Sequence, residues 1–199
     1  MESEQRLELV TRHRWERYWR EVQELNLSDP RAAVARAEAW LDEDPAGEGR
    51  ALALRALAYA LRTSGTYDRA DERFVEAEQA FAALGLDDDA ARTRIGHVEA
   101  LRYLGRYDDA IDLAQRNLAY LRGRGPDFAL DVARQTINLG LVNWRRGDLD
   151  GALACFDEAG AFGRREKIPE LAATASMNTV IAGNCAPRLL KRSANFGTT

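Results

Sequence analysis

Gly65-Thr66-Tyr67-Asp68-Arg69-Ala70, Gly105-Arg106-Tyr107-Asp108-Asp109-Ala110 and Gly147-Asp148-Leu149-Asp150-Gly151-Ala152 are three copies of one punctuation mark. In each, a glycine is followed by an aromatic residue or leucine, an aspartate and then an alanine at the same offsets. The copies stand 40 (105 − 65) and 42 (147 − 105) residues apart. A fixed period near forty is the signature of stacked helix pairs, each unable to bury its apolar face alone. Working outward from these turns, apolar residues recur at three and four rather than at two, so the fold expected is all-α. Leu54, Leu57, Ala58 and Leu61 make the stripe of a helix over about 50–63, and Ala70, Phe74, Ala77 and Phe81 that of its partner from Tyr67 to Leu84. The same alternation predicts helices over 91–104, 107–122, 129–146, 149–163 and 169–183. Upstream, Asp29-Pro30 reads as a capped start with proline at the first helical position. An aromatic helix containing Trp15, Tyr18 and Trp19 precedes it.

Composition narrows the function classes. The 199 residues are 46% hydrophobic and 30% charged, and the net charge of −4 arises from 28 basic and 32 acidic residues mixed along the chain. No single-sign field results, so neither nucleic acid nor an anionic membrane is an expected partner. Arg6, Arg12, Arg14, Arg17 and Arg20 interleave with six glutamates in the first 25 residues, which interrupts any signal-peptide core, and no later apolar run approaches a membrane span. The expected address is the cytoplasm. Cys155 and Cys185 form no CxxC pair and read as reduced packing residues. Asp87-Asp88-Asp89 lacks the alternation of a calcium loop and suits a helix start. No metal or cofactor is implied. His13 and His97 stand without an evident nucleophile or orienting acid, no glycine-rich phosphate cradle is present, and no enzyme is expected.

With Ala51, Ala91 and Ala133 as first positions, the eighth, twentieth and twenty-seventh places hold Ala58, Ala70 and Ala77, then Val98, Ala110 and Asn117, then Gly140, Ala152 and Ala159. This pattern of small residues resembles the tetratricopeptide repeat family, with Asn117 a departure from it. The family's common unit is about 34 residues. The longer period here is similar to the repeats of kinesin light chains, bacterial peptide-sensing regulators and the arrays of CHAT-type proteases, and implies helices longer by about a turn. The resemblance implies a right-handed superhelical solenoid of antiparallel helix pairs: a divergent pair or cap over 1–49, an array of three clear repeats and one incomplete over 50–186, and a tail over 187–199.

In that family, positions two, five, six, nine and twelve of each first helix line a concave groove. Here they hold Leu52, Arg55, Ala56, Tyr59 and Arg62; Arg92, Ile95, Gly96, Glu99 and Arg102; Arg134, Ile137, Asn138, Leu141 and Trp144; and Thr174, Met177, Asn178, Ile181 and Asn184. The peptide-binding candidates are Arg55, Tyr59, Arg92, Arg134, Asn138, Leu141, Trp144 and Asn178. Arginine binds carboxylate bidentately, and an asparagine can serve an extended peptide backbone as donor and acceptor. The resemblance therefore implies a bacterial-type adaptor or regulatory scaffold binding a peptide or helix of a protein partner. Two alternatives are a self-assembling unit, a homodimer through an open edge at Leu171, Met177, Val180 and Ile181, and the sensor half of a regulator or CHAT-type protease system.

Overall fold

The computed structural model describes the backbone of residues 2–43 and 45–194 and the side chains of 14–43 and 45–183. Its elements are α1 (Glu2–Ser28), α2 (Pro30–Asp42), α3 (Gly47–Thr63), α4 (Tyr67–Ala83), α5 (Asp87–Tyr103), α6 (Tyr107–Gly123), a 3-10 turn (Pro126–Phe128), α7 (Ala129–Arg146), α8 (Leu149–Arg165) and α9 (Pro169–Ala194). The chain is all-α, and the hairpin bends fall at the repeated glycines. Two compact units are present, residues 1–100 and 101–199, the division falling within α5.

The glycine punctuation has a backbone cause. Gly65, Gly105 and Gly147 take φ of +83°, +74° and +98°, a left-handed conformation that costs glycine no steric penalty. The amide of the next residue then reaches back to a carbonyl of the last helical turn: Thr66 to Leu61, Arg106 to Leu101 and Asp148 to Asn143, at 2.9–3.0 Å. These are Schellman closures, which satisfy carbonyls the helix itself leaves open. Lys167 ends α8 with the same bond pattern, Ile168 to Gly163 at 2.8 Å, but it is a non-glycine residue at φ +57°. Helix starts obey equally local rules. The Asp29 carboxylate accepts from the amides of Arg31 and Ala32 ahead of α2, and the Asp148 carboxylate accepts from Gly151 ahead of α8. Asp87, Asp88 and Asp89 fill the first turn of α5, where the helix dipole favours negative charge.

In the first unit, α3 and α4 meet through Ala58, Ala70 and Ala77, all fully buried, with Phe74 and Phe81 filling the space beside them. Each such phenylalanine stabilises the pair by about 1.5–3 kcal/mol relative to exposure. At the amino-terminal end the small-residue rule is replaced by aromatic packing. Trp15 stacks on Trp40 at 5.8 Å, Tyr18 lies 5.2 Å from Trp40, and the Tyr18 hydroxyl donates to Glu43 at 2.6 Å. Trp15 also covers Gly49 so closely that a Cβ there would lie 2.7 Å from the indole.

In the second unit, Ala110, Gly140, Ala152 and Ala159 occupy the corresponding contacts and are buried. Gly140 has no room for a side chain, since an added Cβ would lie 2.6 Å from Phe156. Asn117, the departure from the small-residue pattern, is 1% exposed and donates through Nδ2 to Oε1 of the equally buried Gln135 at 3.0 Å. A polar pair thus stands where the other repeats place alanine against alanine or threonine, and its hydrogen bond offsets part of the desolvation, Gln135 Nε2 being buried without a partner. Leu86, Phe128 and Ile168 each immediately precede a first helix of a pair, and Phe128 is buried there. The final helix differs from expectation: α9 continues to Ala194 rather than ending near Gly183.

Candidate functional site

The repeat register places the candidate residues on α3 and α5 in the first unit and on α7 and α9 in the second. In the first unit their chemistry is largely taken up by neighbours. Arg55 Nη1 lies 2.9 Å from Asp89 Oδ1, and its guanidinium sits 4.6 Å from the Trp19 ring and 5.0 Å from the Phe81 ring. Arg62 pairs with Glu99, and Arg94 with Glu78 at 3.2 Å. Tyr59 is half-buried, edge-on to Phe74 at 5.3 Å and to Trp19 at 6.1 Å, and its hydroxyl reaches the Arg92 carbonyl at 3.5 Å. Arg92 itself is exposed. Ala56 and Gly96, expected on the open face, are instead buried. At Gly96 the reason is Tyr59, whose ring would stand 2.7 Å from an added Cβ, while Ala56 belongs to the core cluster of the first unit. The charges of Arg55 and Arg62 are therefore already matched by carboxylates of α5, and the Tyr59 ring is spent on packing.

The second unit is more open. Arg134 is 59% exposed, with Asp131 at 3.9 Å. Asn138 and Asn178 are half-buried. Leu141 packs against two buried clusters, one containing Ala133, Ile137 and Ala175 and the other Ala152, Phe156 and Ala182, so it belongs partly to the core. Ile137, a predicted lining position, is buried there too. Trp144 also packs against the Phe156–Ala182 cluster, half-buried, and the Arg145 guanidinium covers its ring at 5.0 Å. Along α9, Met177, Val180 and Ile181 are 58%, 61% and 41% exposed. Leu171, expected with them on the open edge, is buried against α7 and α8 instead. Asn184, Cys185 and the residues beyond lie outside the described side chains, as does His13.

One constellation escaped the sequence reading. His97 of α5 is buried with Nε2 2.6 Å from Asp71 Oδ1 and Nδ1 2.6 Å from Glu78 Oε1, its ring stacked on Phe74 at 5.6 Å. Burial works against the charged imidazole, but the Glu78 and then the Asp71 carboxylates outweigh it and raise the pKa. Asp71 and Glu78 are seven residues apart and so share a face of α4. That spacing was visible in the sequence, whereas the histidine that pairs with it was not. An imidazole with both nitrogens engaged and its proton held is a clamp rather than a base. Its two carboxylates approach from opposite edges of the ring, so they offer no common point for a cation. Among the described residues no group of three or more histidine, cysteine or acidic side chains is placed to hold a metal. Burial pushes the Cys155 thiol up to about 11, with Glu158 and Asp148 adding to it, which leaves it protonated and unreactive. No described helix is long and apolar enough to cross a membrane.

The fold has a solved counterpart. The structure is similar to the crystal structure of BtubC (BKLC) from P. vanneervenii, with a TM-score of 0.54 and 20% identity over 91% of this chain and 76% of that one. At that identity the likeness concerns the fold. No family model matches the chain, and no curated protein matches it.

Proposed function

We propose that this chain is a tetratricopeptide-type protein-interaction module of the bacterial cytoplasm that seats a partner's peptide segment on the α7–α9 face of its second unit. The observation that carries the reading is the coexistence, on adjacent helices, of exposed Met177 and Ile181 with the half-buried amides of Asn138 and Asn178 and the exposed Arg134. Apolar anchors beside polar groups are the arrangement peptide grooves use: burial supplies affinity, and the amides and guanidinium fix register and polarity. Leu141 and Trp144 form the floor, and a floor held by core packing lowers the ordering cost of binding. Arg55, Tyr59 and Arg92 of the first unit are auxiliary in this reading, because Arg55 must leave Asp89 before it can serve a ligand. No catalytic step is assigned. The test is affinity capture with mass spectrometry using the wild type and Arg134→Ala/Asn138→Ala in parallel. The proposal requires a partner that the wild type retains and the variant loses, with the melting temperature unchanged. Equal capture by both proteins would end it.

A second reading rests on Val180. It occupies the eighth place of its repeat, where Ala58, Val98 and Gly140 are buried, yet it is 61% exposed. No charged residue stands between Glu170 and Arg188, so two such faces could meet without like-charge repulsion. In this reading the edge pairs with a second copy. Light scattering after gel filtration separates the two, since Val180→Glu would dissociate a dimer without touching Arg134 or Asn138.

A further inference from the structure

A cavity of about 420 Å³ opens on the second unit between the end of α6, the first two turns of α7 and the last two turns of α8. It lies within the size range of small-molecule sites, roughly 300–1,000 Å³. It is separate from the face described above. Val132 and Thr136, which line it, are two residues from Arg134 and Asn138, about 200° around the helix.

Its walls are built from small side chains where larger ones would close it. Ala129, Ala133 and Ala159 leave the space that Val132 and Phe162 border, and the Thr136 hydroxyl is turned to the Val132 carbonyl at 2.9 Å, so the interior is largely apolar. Charge is confined to the mouth. Arg122 stands at one side, paired to Glu158 at 2.8 Å with both side chains about half exposed, and Arg165 at the other, paired to its sequence neighbour Glu166 at 2.8 Å. Ion pairs as exposed as these add little net stability, so a competing carboxylate displaces them at little cost. Guanidinium groups offer such a carboxylate a bidentate partner, while their stems extend the apolar wall. Glu158 disfavours a multiply charged anion, and the apolar interior disfavours a small hydrated one.

We infer that this cavity binds an apolar group bearing a single carboxylate, with the apolar body against Val132 and Phe162 and the carboxylate at Arg165 and Arg122. The same chemistry is presented by a free arylalkyl carboxylic acid and by the carboxyl-terminal residue of a peptide ending in phenylalanine.

The test is a backbone amide NMR titration of the full chain with 4-phenylbutyrate, with 4-phenylbutan-1-ol, and with a tetrapeptide ending in phenylalanine as free acid or amide. The inference expects saturable shifts centred on Val132, Thr136 and Phe162, at least tenfold tighter binding of a carboxylate than of its neutral counterpart, and a loss of about tenfold in Arg165→Gln. Ala161→Trp, which places an indole in the mouth from an exposed position, should abolish binding while circular dichroism stays unchanged. Binding by the small acid alone assigns the site to a metabolite-like ligand, and binding by the free-acid peptide assigns it to a chain terminus. No saturable shift with any carboxylate, equal binding of the alcohol, or undiminished binding in both variants would overturn it. Arg134→Ala/Asn138→Ala serves as the control that leaves this site intact, so its failure and that of the α7–α9 face are read separately.

Discussion

Replacing His97 by alanine should destabilise the first unit strongly at pH 6 and progressively less as the pH rises. The substitution leaves Asp71 and Glu78, whose side chains are only 20% and 16% exposed, facing the vacated space with their partner gone. It also removes the stack on Phe74. Removing one member of a buried charged pair costs about 3–5 kcal/mol. Residual solvent access and the retained Arg94–Glu78 contact at 3.2 Å place the expectation at the lower end, about 3 kcal/mol. The sign of the pH dependence follows from the raised pKa of His97. The folded chain holds this proton more tightly than the unfolded one, so its contribution is fully present below the unfolded value of about 6.5. It is lost as the pH climbs through the folded pKa. Urea unfolding read by tryptophan fluorescence is a suitable assay, because Trp15, Trp19 and Trp40 all lie in the first unit. The gap between the unfolding free energies of wild type and His97→Ala should narrow as the pH rises above about 6.5, leaving the share that comes from the lost stack on Phe74. A difference that stays constant as the pH rises, or a His97 ring that titrates at or below 6.5 by NMR, would refute a charged clamp.

Ala70→Arg or Ala152→Arg forces a long cation between helices that touch through fully buried alanines, and should cost about 3 kcal/mol or more, measured by chemical denaturation. Gly140→Ala should destabilise the second unit by about 1–3 kcal/mol, because its Cβ would meet Phe156 at 2.6 Å and Cys155 at 2.9 Å. Lys167→Gly should raise stability by about 1 kcal/mol, since the residue sits at φ +57° in a helix-ending motif that glycine adopts without strain. Calorimetry on these two variants should therefore show shifts of opposite sign.

What the candidate site lost between sequence and structure has a common cause. Arg55 and Tyr59 stand at the positions where the repeat register puts ligand-facing residues, and the register is right, since Ala58, Ala70, Ala77, Ala110, Ala152 and Ala159 are all buried as it requires. But a position on a face says nothing of what the next helix places opposite it. Asp89 lies 34 residues from Arg55 and Gly96 lies 37 from Tyr59, and the complementarity of charge in one case and volume in the other emerges only when the helices pack. In the second unit the corresponding positions on α9 are Met177, Asn178 and Ile181, none of which carries a charge that could neutralise Arg134.

The sequence by itself determined the helices, their pairing and the ends that a glycine or a capping aspartate marks, because caps, positive-φ turns and small-residue contacts depend on residues within a few turns of one another and repeat at a period that can be counted. Only the tertiary structure decided which groups are spent and which remain open. It joined His97 to Asp71 and Glu78, matched Asn117 with Gln135, buried Leu171, and left a hollow above the alanines of α7 and α8. These outcomes depend on the distance and angle between helices, which arise from the summed packing of many side chains and are written in no single stretch of the chain.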